Sequence, residues 1–195
     1  MRKIPTLFVR EFDRNRIVRV LPEVTAGCEW VLRGEGEATE KVDGAACAII
    51  GGKFWKRYDA NVNRGRRIPT DGIPCQPAPD PKTGHWPFWV PVLDSGGDKW
   101  FLAALYNSPW CKSGGTYEAV GPHFQRNPYG LDEDFIEPHG RIKLKDCPRD
   151  FEGIREYLRA HEIEGIVFWR YGAPKCKIKR TDFGFQWPVE QRTCR

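Results

Sequence analysis

The chain is poor in methionine and histidine and has no long apolar run. Its 195 residues include one Met and four His. No stretch of about 18 apolar residues occurs, so no membrane-crossing helix is expected. The opening Met1-Arg2-Lys3-Ile4-Pro5 lacks the apolar core of a secretory signal. A soluble, cytoplasmic protein is the expectation. The seven cysteines, at 28, 47, 75, 111, 147, 176 and 194, include no Cys-x-x-Cys. Their odd number and scatter speak against a disulfide framework and a structural zinc site. Buried, neutral thiols in a reducing compartment fit better. The histidines, at 85, 123, 139 and 161, form no His-Glu-x-x-His and read as surface or hydrogen-bonding residues rather than metal ligands.

What is present suits one domain. Hydrophobic content is 40% and there are eight Trp, enough for a sizeable core. The net charge of +5 is compatible with a nucleotide or nucleic-acid partner without requiring one. The basic residues cluster at Arg64, Arg66 and Arg67, and at Lys175, Lys177, Lys179 and Arg180. The first cluster reads equally as a solvated face or as a nucleic-acid contact.

Residues 4–12 read as a short strand or extended arm, and 28–32 and 45–50 as strands flanking Lys41. Gly51-Gly52 signals a turn into a returning strand at 53–58, which makes a hairpin. Seven prolines within 69–91 exclude regular helix and central strand there. A loop this long is usually functional or mobile. Its aromatics, in Gly84-His85-Trp86-Pro87-Phe88-Trp89, suit either packing the loop onto the domain or stacking on bases. Residues 100–106 read as a buried strand and 117–120 as another. Phe151, Ile154 and Leu158 recur at helical spacing after Pro148, which predicts a helix over 149–161. Strands at 166–169 and 176–179 follow. The pattern is an antiparallel-rich α+β domain.

Three short motifs carry the chemistry, in order: Glu40-Lys41-Val42-Asp43-Gly44; Thr116-Tyr117-Glu118-Ala119-Val120-Gly121; and Glu164-Gly165-Ile166-Val167-Phe168 followed by Lys177-Ile178-Lys179. A lysine nucleophile, two glutamates and a late lysine pair are the parts needed to form a phosphoramide with a nucleotide. A lysine amine attacks phosphorus only when neutral, and nearby cations disfavour the ammonium. Lys177 and Lys179, two apart on a strand, point to the same face and can grip phosphates while keeping Lys41 neutral. Glu118 can accept hydrogen bonds from a ribose. Glu164 can hold a Mg²⁺ that bridges phosphates, since this ion needs only one or two carboxylates beside phosphate oxygens. Asp43 follows Lys41 by two residues and shares its direction in extended chain, and Gly44 permits tight backbone near a ligand. Taken singly, each has an ordinary reading: a surface lysine, a turn into a buried strand, an edge strand with snorkelling lysines. Their joint occurrence in this order favours the chemical one.

Lys41-Val42-Asp43-Gly44 resembles motif I of the covalent nucleotidyltransferases, the polynucleotide ligases and mRNA capping enzymes. Tyr117-Glu118-Ala119-Val120-Gly121 resembles motif III, Glu164-Gly165-Ile166-Val167 motif IV, Cys176-Lys177-Ile178-Lys179 motif V, and Lys56-Arg57 the intervening arginine motif. More narrowly, four runs resemble the small ATP-dependent RNA ligases related to the vertebrate 5′-to-3′ RNA ligase. They are Lys3-Ile4-Pro5-Thr6-Leu7-Phe8, Thr83-Gly84-His85-Trp86-Pro87, Gly121-Pro122 through Asn127-Pro128-Tyr129, and Lys177 through Gly184.

The resemblance implies a single ATP-grasp-like nucleotidyltransferase domain over 1–195, with 69–91 a proline-rich loop within it and no C-terminal oligonucleotide-binding domain. It implies an ATP-dependent RNA ligase for RNA repair. Lys41 becomes lysyl-AMP, AMP passes to an RNA 5′-phosphate, and a 3′-OH displaces it. Glu40 presents its backbone to adenine, and Arg57 binds near the ribose or the RNA 5′-phosphate. Glu118 binds ribose, and Glu164 serves the steps that need Mg²⁺ or Mn²⁺. Lys177 and Lys179 contact the α-phosphate, and Phe135 is the candidate for stacking on adenine. Arg64, Arg66 and Arg67 are candidates for gripping RNA. The rival readings are an mRNA guanylyltransferase or DNA ligase core, and a non-catalytic nucleotide- or RNA-binding module.

Overall fold

In a computed structural model, residues 2–14, 16–111 and 113–189 are described; Cys194 lies outside them. The first strands in chain order are β1 (Phe8–Asp13), β2 (Arg16–Val24), β3 (Glu37–Glu40), β4 (Ala45–Ile50) and β5 (Lys53–Asn61). Then come β6 (Ile73–Pro74), β7 (His85–Pro91), helix α1 (Lys99–Tyr106), β8 (Gly115–Val120) and β9 (Phe135–Pro138). Helix α2 (Phe151–Ala160), β10 (Gly165–Arg170) and β11 (Ala173–Lys179) complete the series. The fold is α+β and rich in antiparallel sheet, and no helix among the described residues is long and apolar enough to cross a membrane.

The chain forms two compact units. One comprises Asp43–His139 with the first residues of the chain; the other comprises Ile4–Val42 with the chain from Gly140 onward. The first is built on a six-stranded sheet of order β6-β7-β5-β4-β8-β9. The turn from β4 to β5 is Gly51-Gly52, both at positive φ (57° and 73°), as a two-residue hairpin requires. Cross-strand partners share a face. Cys47 pairs with Tyr117, and Ala119 with Ile136. These side chains pack with Ala104, Phe101 and Leu105 of α1. The helix therefore covers one face of the sheet. Ala46 pairs with Glu118, and Glu118 with Glu137. Ala48 pairs with Trp55, two residues before Arg57, and Val120 pairs with Phe135. Arg57, Glu118, Phe135 and Glu137 thus belong to the other face.

The second unit carries a three-stranded sheet of order β11-β10-β3 and the β1–β2 hairpin. Ala38, Ile166, Phe168, Cys176 and Ile178 alternate onto one face. There they are buried with Ile154 and Leu158 of α2, and with Leu7, Phe8 and Val31. Asp150 caps α2 by accepting the Gly153 N–H at 2.9 Å. The intervening residues Thr39, Val167, Lys177 and Lys179 take the opposite face.

Three sequence expectations are corrected. Residues 28–32 are turns, not a strand: the Cys28 carbonyl accepts the Val31 N–H at 3.0 Å and the Val31 carbonyl the Gly34 N–H at 2.9 Å. Their apolar run buries Cys28, Trp30 and Val31 without ladder pairing. Residues 100–106 lie in helix α1, because Trp100, Phe101, Ala104 and Leu105 gather on one side at helical spacing. Tyr106, which a strand would align with Trp100 and Ala104, is 86% exposed.

Within 69–91, β7 is an internal strand despite two prolines. It pairs with β5 along its whole length. The Pro87 carbonyl accepts the Cys75 N–H at 2.9 Å, so the peptide groups of Pro87 point away from β5. Pro91 has the same parity, and the following Val92 donates to Phe54 on β5 at 3.1 Å. Neither proline removes a bond to β5. The rest of the loop packs on this strand, with Trp86 Nε1 donating to the Gln76 carbonyl at 2.9 Å.

Candidate functional site

The second unit assembles its charged residues around one glycine. Gly165 opens the central strand β10 and is paired with Lys179 on β11. On its other side the Gly165 carbonyl accepts the Lys41 N–H at 2.8 Å, which extends β3 by one residue. Lys41 and Lys179 therefore flank the same point of the sheet. Glu164, one residue earlier, reaches both: Oε2 takes the Lys41 ammonium and Oε1 the Lys179 ammonium. Glu164 is only 3% exposed.

This approach needs glycine. A Cβ at Gly165 would lie 2.3 Å from the Ile178 carbonyl oxygen. Gly165→Ala is expected to lower stability by about 1–3 kcal/mol, measured by chemical denaturation, and an unchanged midpoint would show that the two strands separate at no cost. The backbone of Lys179 is fixed as well: its N–H donates to Asp182 Oδ2 at 2.8 Å, while Asp182 Oδ1 accepts from Arg10 at 2.7 Å.

Lys177 stands two residues before Lys179 on the same face and forms a parallel bridge with Thr6. Burial, then the Lys41 and Lys179 charges, pull its pKa down to about 8. Lys41 and Lys179 thus share one buried carboxylate while Lys177 stands close enough to feel their charges, which leaves an excess of positive charge in a partly desolvated place. Such a place favours a multiply charged anion. Glu40 lies at the end of β3 opposite Ile166, with its N–H donated to the Ile142 carbonyl at 2.9 Å.

The first unit holds the other candidates. Asp43 donates its N–H to the Tyr129 hydroxyl at 2.7 Å. A Cβ on Gly44 would meet the Ala119 carbonyl oxygen at 2.3 Å, so the glycine serves close packing of β4 on β8. Asp59 Oδ1 accepts Arg57 Nε at 2.8 Å and lies 2.9 Å from His85 Nε2. Burial works against its ionisation, yet Arg57 and His85 hold the Asp59 carboxyl below its usual range. Arg64 and Arg67 are exposed at the far end of β5, and exposed Arg66 donates to the Asp59 carbonyl at 3.2 Å. Phe135 begins β9, half-buried, on the face that carries Glu118.

Glu118 is 9% exposed, and its Oε1 lies 3.0 Å from His139 Nε2. Its Oε2 is buried without a partner. A buried acceptor left unpaired is costly, so this oxygen can take a donor from a water or a ligand.

The sequence motifs contained Lys41, Glu164, Lys177, Lys179 and Glu118, and the first four come together in one unit. Sequence reasoning missed Asp182 as the anchor of Lys179, Asp59 and His85 beside Arg57, Tyr129 behind Asp43, and His139 behind Glu118. Each partner lies on another element or across a turn, and only the register of the sheets reveals it.

The six described cysteines are free, and all but Cys75 are buried; burial pushes the Cys147 thiol up to about 11. No group of three or more His, Cys, Asp or Glu among the described residues could hold a metal. Glu164 fits a hard cation only in the sparse manner of Mg²⁺, as one carboxylate beside phosphate oxygens and water. No protein-family model matches this chain, and no curated protein matches it.

Proposed function

We propose that this protein is an ATP-dependent RNA ligase of the covalent nucleotidyltransferase type, acting through a lysyl-AMP. The observation that carries the reading is the pairing of Lys41 and Lys179 with the buried carboxylate of Glu164, with Lys177 near enough to feel both lysine charges. The two later lysines present fixed positive charge to the α-phosphate, where negative charge grows during attack. Preorganised charge of this kind contributes roughly 3 kcal/mol per group. Lys41 Nζ gives up a proton, for which Glu164 Oε2 is the acceptor in contact, and then attacks the α-phosphorus. A phosphorus–nitrogen bond forms, the bond to the bridging oxygen breaks, and pyrophosphate leaves. Glu164 would be the residue to hold a divalent cation, which would supply charge neutralisation to the phosphates.

The reading gives the ribose to Glu118, whose Oε2 awaits a donor. Arg57, Phe135 and Glu118 share one face of the six-stranded sheet, as nucleoside contacts require. AMP then passes from Lys41 to an RNA 5′-phosphate, and a 3′-OH attacks the adenylated end and releases AMP.

The test is incubation with α-labelled ATP, and separately GTP, with Mg²⁺ or Mn²⁺, followed by a denaturing gel and mass spectrometry of the labelled peptide. Label from ATP at Lys41 supports the reading. Label from GTP alone points to a guanylyltransferase, and no label at all points to a binding module. Matched ends then examine the acceptor. RNA with 5′-phosphate and 3′-OH is expected to be joined and duplex DNA nicks to be sealed poorly; equal or better DNA sealing would reject the RNA assignment.

A further inference from the structure

We infer that His139, braced by Thr116, makes this protein select a ribonucleotide over a deoxyribonucleotide by fixing the Glu118 carboxylate. This rests on the adenylylation reading above and names the residues that set the sugar specificity of that site.

His139 is held at three points. Its N–H donates to the Thr116 carbonyl at 3.1 Å, continuing the β8–β9 ladder beyond Pro138. Its Nδ1 lies 2.9 Å from Thr116 Oγ1, and its Nε2 lies 3.0 Å from Glu118 Oε1. An ionised carboxylate only accepts, so the proton between His139 and Glu118 sits on Nε2. Nδ1 is left to share a hydrogen bond with the Thr116 hydroxyl, which can either donate or accept. The chain from Thr116 through His139 to Glu118 holds the first carboxylate oxygen in place. The second oxygen is buried and unpaired.

A single fixed acceptor matches one O–H donor. A site built to bond a substrate hydroxyl rejects the analogue that lacks it, because its own buried group then stays unpaired. His139 is a positioning residue here: it acts through Glu118.

The experiment measures single-turnover self-adenylylation with ATP, 2′-deoxy-ATP and 3′-deoxy-ATP. Wild type is expected to favour ATP over the poorer analogue by about a hundredfold or more. His139→Ala should cut that ratio to below about tenfold, mainly by slowing ATP. His139→Gln, whose amide can still donate to Oε1, should keep most of it. Equal use of all three nucleotides by wild type, or an undiminished ratio in His139→Ala, would overturn the inference while leaving adenylylation intact. If circular dichroism shows that His139→Ala is not folded, Thr116→Val decides: a reduced ratio supports the inference and an unchanged one overturns it. Wild-type protein that takes label from none of the three overturns the adenylylation reading itself.

Discussion

Lys41→Ala is expected to take no covalent label from ATP and to join no RNA ends when ATP is the only source of AMP. Lys41 is the amine that the sheet presents beside Glu164 and Lys179, and alanine offers no atom that could bond to phosphorus. The effect is a loss of the reaction rather than a slower rate. Lys41→Arg should behave alike, since a guanidinium stays protonated. Neither change removes a core side chain, so both variants should melt cooperatively near the wild-type temperature. Persistent label in a folded Lys41→Ala protein, located by mass spectrometry, would move the nucleophile elsewhere.

Lys177→Met is expected to stabilise the fold at pH 7 while weakening nucleotide binding. The Lys177 ammonium titrates near 8 rather than at its ordinary 10.5, because of burial first and the neighbouring Lys41 and Lys179 charges next. The folded state therefore binds this proton less tightly than the unfolded chain. Below pH 8 both states carry the charge, and the fold bears the full cost, up to about 3 kcal/mol. Between pH 8 and 10.5 the folded protein sheds the proton first, so stability rises with pH and the cost fades. The advantage of Lys177→Met should be largest at pH 7 and vanish toward pH 10.5. Denaturant titrations of both proteins across this range measure it, and a pH-independent difference would remove the buried charge from the account. Under the proposed function the same charge would hold the nucleotide. Affinity for a non-reacting ATP analogue should fall above pH 8 in wild type and hold in Lys177→Arg, where the cation cannot be lost.

Local signals made much of the frame legible in the sequence. The Gly51-Gly52 turn announced the β4–β5 hairpin, and the spacing of Phe151, Ile154 and Leu158 behind Pro148 announced α2. Where an apolar run was short, periodicity failed. Trp100 to Tyr106 reads as strand or helix until one knows that Trp100, Phe101, Ala104 and Leu105 face the sheet. Residues 28–32 read as a strand because burial without pairing leaves the same apolar trace as burial with it.

The candidate site divides in the same way. Lys41, Glu164 and the lysine pair were singled out by residue type and order, and the structure brings them together in one unit. The geometry was not, because Glu164 meets a residue 123 positions away and another 15 away through the register of three strands. His139 was legible only as a hydrogen-bonding histidine: its partners Thr116 and Glu118 follow from its lying one residue past a strand end, opposite Thr116.

The two prolines of β7 also bear on how this protein behaves in a crowded solution. The outer side of a sheet's last long strand is a template on which strands of other molecules can add. Here that row of donors is broken twice, at Pro87 and Pro91. The outward carbonyls of His85 and Pro87 are already taken by Asp80 and Cys75, and Trp89 is paired with Ile73. The edge offers no continuous run of free N–H groups for a second copy to zip onto. A segment that contains three aromatic residues in seven, ordinarily a liability for cross-β aggregation, is thereby closed to edge-to-edge growth. Replacing Pro87 and Pro91 by valine would restore the missing donors and open that route.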